Sequence, residues 1–143
     1  MFKNVLLIDD DDLTIDLIKT TLLDNHFAEN IHTVSNGREG LAFFEALDKG
    51  ADGQVPELVL LDVYMPLMNG WEFLDAYMLL YEKKFPQVCF CMLSSSVNPN
   101  DILKAHSYNC VIEIFSKPLK ASHTRYLEKF CMKRQELFRN KGL

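Results

Sequence analysis

Five short apolar runs alternate with amphipathic stretches along this chain, and that alternation narrows the available folds more than any other feature. The runs are Asn4–Asp9, Asn30–Val34, Glu57–Asp62, Gln87–Ser94 and Val111–Ser116. The first, third and fourth are nearly unbroken in apolar residues, the pattern of central parallel strands covered on both faces. Ile31-His32-Thr33-Val34 is more polar, as an edge strand would be. Between the runs the apolar period becomes helical. Leu17, Ile18, Thr21 and Leu22 make one face behind Asp12, a residue able to cap that helix. Leu41, Phe44 and Leu47 make a second, opened by Asn36-Gly37 and closed near Gly50. Trp71, Leu74, Met78 and Tyr81 make a third after Asn69-Gly70. Ile102, Leu103 and His106 belong to a shorter fourth helix after Asn98-Pro99-Asn100-Asp101. Leu127, Phe130 and Cys131, continued by Leu137 and Phe138, form a fifth after Lys117-Pro118.

Strand and helix alternating five times predict an α/β fold with right-handed crossovers, a flavodoxin-like (βα)5 sandwich. Its five-stranded parallel sheet takes the order 2-1-3-4-5, with helices on both faces. A chain of 143 residues can bury the core of one such domain. The expected extent is residues 1–135, with 136–143 as a helix end or tail and no output domain. Gly50 to Pro56 is the one loop loose enough to suggest an insertion.

A net charge of -5 argues against a nucleic-acid partner, which would ask for a basic face. No apolar run approaches a membrane span, and the N-terminus has no cleavage-site pattern. Cys89, Cys91, Cys110 and Cys131 show no zinc-type pairing and read as buried thiols of a cytoplasmic protein.

In an open sheet of this kind, ligands bind outside the carboxyl ends of the strands, where the strand order reverses. The first run ends in Asp9-Asp10, the third in Asp62, the fourth in Ser94-Ser95-Ser96 and the fifth in Lys117-Pro118. Strands one and three are neighbours in the expected order, so three carboxylates converge, with a hydroxyl and an ammonium beside them. Three carboxylates at one edge repel unless a cation or protons intervene. Magnesium suits them, because it prefers oxygen ligands and commonly binds through one or two carboxylates plus a phosphate. A carboxylate can also attack phosphorus and form an acyl phosphate, and metal, lysine and hydroxyl would neutralise the phosphoryl oxygens. No P-loop and no G-x-G-x-x-G is present.

Leu6-Leu7-Ile8-Asp9-Asp10, Leu60-Leu61-Asp62-Val63-Tyr64-Met65-Pro66 with Gly70, Leu93-Ser94-Ser95 and Ser116-Lys117-Pro118 resemble the receiver domain of two-component response regulators, the CheY-like domain. The resemblance covers roughly residues 3 to 132 and is of the stand-alone, single-domain kind. It implies that Asp62 accepts a phosphoryl group from a partner phosphohistidine, on a sensor histidine kinase or a histidine phosphotransfer protein. It implies Mg2+, or Mn2+ in its place, held by Asp9, Asp10, Asp62 and the Tyr64 main-chain carbonyl. Ser94 would bond a phosphoryl oxygen, Lys117 would pair with it, and the Lys117–Pro118 bond would be cis. The chain would then be a phosphoacceptor switch, not a turnover enzyme. It would act on an unidentified downstream protein or pass the phosphoryl group on, as a monomer or weak dimer without nucleic acid or membrane.

One position departs from the family: Ile114 stands three residues before the lysine, where an aromatic is usual, and Phe115 should face the other side of the strand. This leaves an unphosphorylated pseudo-receiver, a plain protein-binding module, as the alternative. A haloacid-dehalogenase-type phosphatase would carry a second Asp two residues after the nucleophile, where this chain has Tyr64. Asp11, Asp12 and Ser96 read as capping and loop residues, and Trp71, Phe73 and Tyr77 as packing residues. Lys129, Lys133, Arg134, Arg139 and Lys141 read as a solvated helix end, with a docking surface as the other reading. His26, His32, His106 and His123 lack metal spacing.

Overall fold

The computed structural model describes residues 1–51, 53 and 55–140, with 139 and 140 by backbone alone. In chain order the elements are β1 (Phe2–Ile8), α1 (Asp12–Asp24), β2 (Ala28–Val34), α2 (Gly37–Asp48), β3 (Leu58–Asp62), α3 (Gly70–Leu80), β4 (Cys89–Ser94), α4 (Pro99–His106), β5 (Val111–Ser116) and α5 (Ala121–Asn140). The strands form one parallel sheet in the order β2-β1-β3-β4-β5, as the alternation predicts.

Period-two alternation in the central strands feeds two cores. Leu6, Ile8, Val59, Leu61, Phe90 and Met92 face Phe44 of α2 and Phe73, Leu74 and Tyr77 of α3. Val5, Leu7, Leu58, Leu60, Cys89, Cys91 and Leu93 face Ile15, Ile18 and Leu22 of α1 and Leu127 and Cys131 of α5. All residues of β3 and β4 are buried, whereas β2 buries only Ala28 and is partly or fully exposed to solvent along the rest of its length, as an edge strand is. All four cysteines are buried and free.

Polar caps set where the helices begin. Asn36 accepts from the Glu39 N–H, and Asn69–Glu72 and Asn98–Asp101 form reciprocal capping boxes, the latter with Pro99 opening α4. Of the two capping candidates, Asp11 is the cap of α1: its side chain accepts from Thr14 N and Oγ1, and Asp12 already lies in the first turn.

Two expectations need correction. Leu17 is 56% exposed, because Ile15, Ile18 and Leu22 make the buried stripe and Leu17 lies on the far side of the helix. Helix α4 does contain Ile102, Leu103 and His106, with Ile102 and Leu103 facing outward and Ala105 buried. Arg134 is not a solvated cation: its Nη1 donates to the Asn109 carbonyl at 2.6 Å and its guanidinium lies over Phe138. Helix α5 continues through residue 135 without a break. Lys141, the Arg139 side chain, residues 141–143, and Asp52 and Gln54 of the expected loop insertion lie outside the described residues. The packing reading of Phe73 and Tyr77 holds, both being fully buried, while Trp71 is half-buried against Tyr108. No helix among the described residues is long and apolar enough to cross a membrane.

Candidate functional site

Parallel register carries the chemistry to one edge. Ile8 pairs with Leu61 and Asp62 with Leu93, so the residues ending β1, β3 and β4 emerge together. One carboxylate oxygen from each of Asp9, Asp10 and Asp62 lies within 4.8 Å of the others. Asp9 is fully buried and Asp62 nearly so, while Asp10 is exposed.

Lys117 enters from the end of β5, with its backbone N–H bonded to the Ser94 carbonyl at 2.8 Å. Its Nζ stands 2.9 Å from Asp9 Oδ2 and 3.3 Å from Asp62 Oδ1. The Lys117–Pro118 peptide is cis, as the resemblance implied. Asp9 Oδ1 also accepts the Asp11 N–H at 2.9 Å, and Asp62 Oδ1 accepts the Tyr64 N–H at 3.4 Å. The Tyr64 ring points to solvent. Ser94 is buried, and its hydroxyl is engaged within its own loop: it donates to the Ser96 carbonyl at 2.9 Å and accepts the Ser96 N–H at 3.3 Å.

Burial raises the Asp62 carboxyl to about 6, the charge of Asp9 adds to that, and Lys117 opposes it. Burial alone would lower the Lys117 ammonium, but its hydrogen bond to Asp9 and the charge of Asp62 hold it above the ordinary lysine value. Three carboxylates against one ammonium leave the edge short of positive charge, and every acidic donor is a hard oxygen. That donor set fits a small divalent cation such as Mg2+ or Mn2+.

Strand order thus gathers Asp9, Asp10, Asp62 and Lys117 directly, with Ser94 one residue beyond the partner of Asp62 on β4. Ile114 is buried in the core toward α2 and α3, while Phe115 stacks on His123 at 4.1 Å on the opposite face, as strand alternation predicts. Sequence reasoning missed Glu113, whose carboxylate meets His106, Tyr126 and the Ile114 N–H. The available signal was a lone acid inside the apolar run Val111-Ile112-Glu113-Ile114-Phe115.

The family profile of the response regulator receiver domain matches residues 5–127. A two-component response regulator from Cytophaga hutchinsonii is 32% identical, with a TM-score of 0.86 over 92% of this chain and 98% of that one. The chemotaxis protein CheY4 of Vibrio cholerae is 24% identical, with a TM-score of 0.68 over 92% and 99%. The response regulator Rcp1, solved in an Mn(2+)-bound form, is 20% identical, with a TM-score of 0.68 over 95% and 91%. No curated protein matches the sequence. The chain belongs to the receiver-domain family of two-component response regulators.

Proposed function

We propose that this receiver is a reversible phosphoacceptor switch in a two-component phosphorelay, with Asp62 as acceptor. The observation that carries the reading is the buried Asp62 carboxylate held within reach of two further carboxylates and 3.3 Å from the Lys117 ammonium. Asp9, Asp10, Asp62 and the Tyr64 main-chain carbonyl would hold Mg2+, with Mn2+ a competent substitute. When bound, the ion supplies the positive charge that phosphoryl oxygens need during transfer.

The chemistry of the chain's own groups is simple. An Asp62 oxygen attacks the phosphorus of a phosphohistidine on a sensor kinase or histidine phosphotransfer protein. The new O–P bond forms as the N–P bond breaks, and the bonding pair leaves with the imidazole nitrogen. Lys117 shifts from its shared contact with Asp9 toward a phosphoryl oxygen. Ser94 gives up its bond to the Ser96 carbonyl and donates to another oxygen, which draws the loop after β4 inward. That local change of charge and hydrogen bonding alters the affinity of a downstream protein, or the phosphoryl group passes onward to another histidine. Water attack on the acyl phosphate resets the switch, so the chain is not a turnover enzyme.

A groove of about 400 Å³ adjoins the site and is lined by Leu17, Ile18, Thr21, Lys117, Pro118 and Leu119. We assign it to the histidine-bearing helix of the phosphodonor, because Lys117 both walls the groove and touches Asp62. This gives the exposed Leu17 a purpose that core packing does not.

Intact-mass spectrometry after incubation with acetyl phosphate and Mg2+ tests the switch. The expected result is a gain of one phosphoryl group that requires both the metal and Asp62, and is absent from Asp62→Asn. The alternative, an unphosphorylated binding module, draws on Ile114. It takes over if neither Mg2+ nor beryllofluoride binds and partner affinity is unchanged in Asp62→Asn.

A further inference from the structure

Helix α4 is attached to the domain in a different way from the other four. It contributes one buried side chain, Ala105, while Ile102 is 41% and Leu103 73% exposed. The neighbouring α3 buries Phe73, Leu74 and Tyr77. Apolar burial scales with area removed from water, so an alanine anchors its helix far less than two aromatics and a leucine do.

Polar contacts make up the difference. His106 Nε2–H donates to Glu113 Oε1 at 3.2 Å. Two residues beyond the helix, Tyr108 Oη donates to Asp75 of α3 at 2.7 Å, and Lys104 Nζ lies 4.8 Å above the Trp71 ring. Glu113 is the hub of this arrangement. It sits on the outer strand at the register shift opposite Phe90/Cys91. Its Oε1 also takes the outward-facing Ile114 N–H at 3.0 Å, and its Oε2 accepts Tyr126 Oη of α5 at 3.3 Å. One carboxylate therefore joins α4, β5 and α5, immediately beside the position where Ile114 replaces the family's aromatic.

We propose that Glu113 is the keeper of a polar latch that fastens α4 to the sheet, and that breaking the latch frees α4 while the rest of the fold stays closed. An exposed ion pair alone would hold little. This carboxylate is only 21% exposed and is fixed by two further donors, so it meets His106 already oriented. A helix held by few apolar contacts and by breakable polar ones opens at a lower free energy than the core. The latch is a property of the unphosphorylated protein and stands whether or not Asp62 is ever modified.

Hydrogen exchange on the full chain, read by mass spectrometry or NMR, tests this with Glu113→Ala and His106→Ala. Both variants should speed exchange of amides 102–106 about three- to tenfold, with those of β1, β3 and β4 unchanged. His106→Ala should leave α5 as slow as in the parent, because Glu113 keeps Tyr126, whereas Glu113→Ala should also loosen the Tyr126 turn. Unaltered α4 exchange in both variants overturns the proposal. So does an equal acceleration in every element, which would make Glu113 a global stabiliser and not a latch.

Discussion

At the residue scale the decisive group is Asp62, whose pKa is set by burial before any partner is considered. Folded Asp62 titrates near 6 against an ordinary 3.8. Between those values the folded chain holds a proton that the unfolded chain has released, so this group's contribution to stability falls as pH rises from about 4 to 6 and stays low above that. Removing the charge should therefore help the metal-free protein. At pH 7.5 in EDTA, Asp62→Asn should be more stable than the parent by about 1–3 kcal/mol, and at pH 4 by much less. Urea denaturation at the two pH values checks this; an equal gain at both would mean that the desolvated charge is not the cause. Lys117 cannot cancel the effect, because it also serves Asp9. The sequence pointed to Asp9, Asp10, Asp62, Ser94 and Lys117, since each ends a strand. It could not show that Ser94 is turned into its own loop or that Lys117 is already paired, because both depend on side-chain rotamers chosen among residues distant in the chain.

At the element scale the junction of β3 and α3 holds Asp62, the proposed acceptor, in place. Gly70 opens α3 directly against the backbone of β3, with its N–H bonded to the Val63 carbonyl at 2.8 Å. A Cβ on Gly70 would come within 2.5 Å of the Asp62 carbonyl oxygen and 3.0 Å of Val63 Cα. Neither is the end of a flexible side chain, so the strand end itself must move. Gly70→Ala should cost about 1–3 kcal/mol in chemical denaturation and weaken Mg2+ binding measured by titration. Gly53→Ala, whose Cβ would meet only Leu47 Cδ2 at 3.5 Å among the described residues, should stay within about 0.5 kcal/mol of the parent. Unperturbed metal binding in Gly70→Ala would show that the strand carrying Asp62 tolerates the displacement. Helix starts were readable because Asn36, Asn69 and Asn98 announce their caps. The buried faces of α1 and α4 were less readable. Both helices carry apolar residues on more than one side, and only the packed sheet decides which side is covered.

For the whole molecule, the clustered carboxylates store repulsion that the proposed cation would relieve in the folded state alone. Mg2+ at about a hundredfold excess over its Kd should stabilise the fold by about 2.7 kcal/mol, a rise of roughly 10 °C in Tm. Asp10 is exposed, so Asp10→Asn should keep the metal-free Tm and lose most of the rise. Thermal denaturation followed by circular dichroism with and without Mg2+ distinguishes the outcomes. An identical rise in Asp10→Asn would place the cation elsewhere.

The sequence alone determined the strand order and the convergence of the site. Apolar period, cap residues and strand-end polar residues are local properties, and parallel α/β topology follows from few connection rules. Tertiary structure decided how the gathered groups are used. Lys117 and Asp9 are 108 residues apart, and Glu113 joins two helices through a single carboxylate. No local period encodes such contacts, because they exist only once separate elements have packed at fixed distances and removed water from between them.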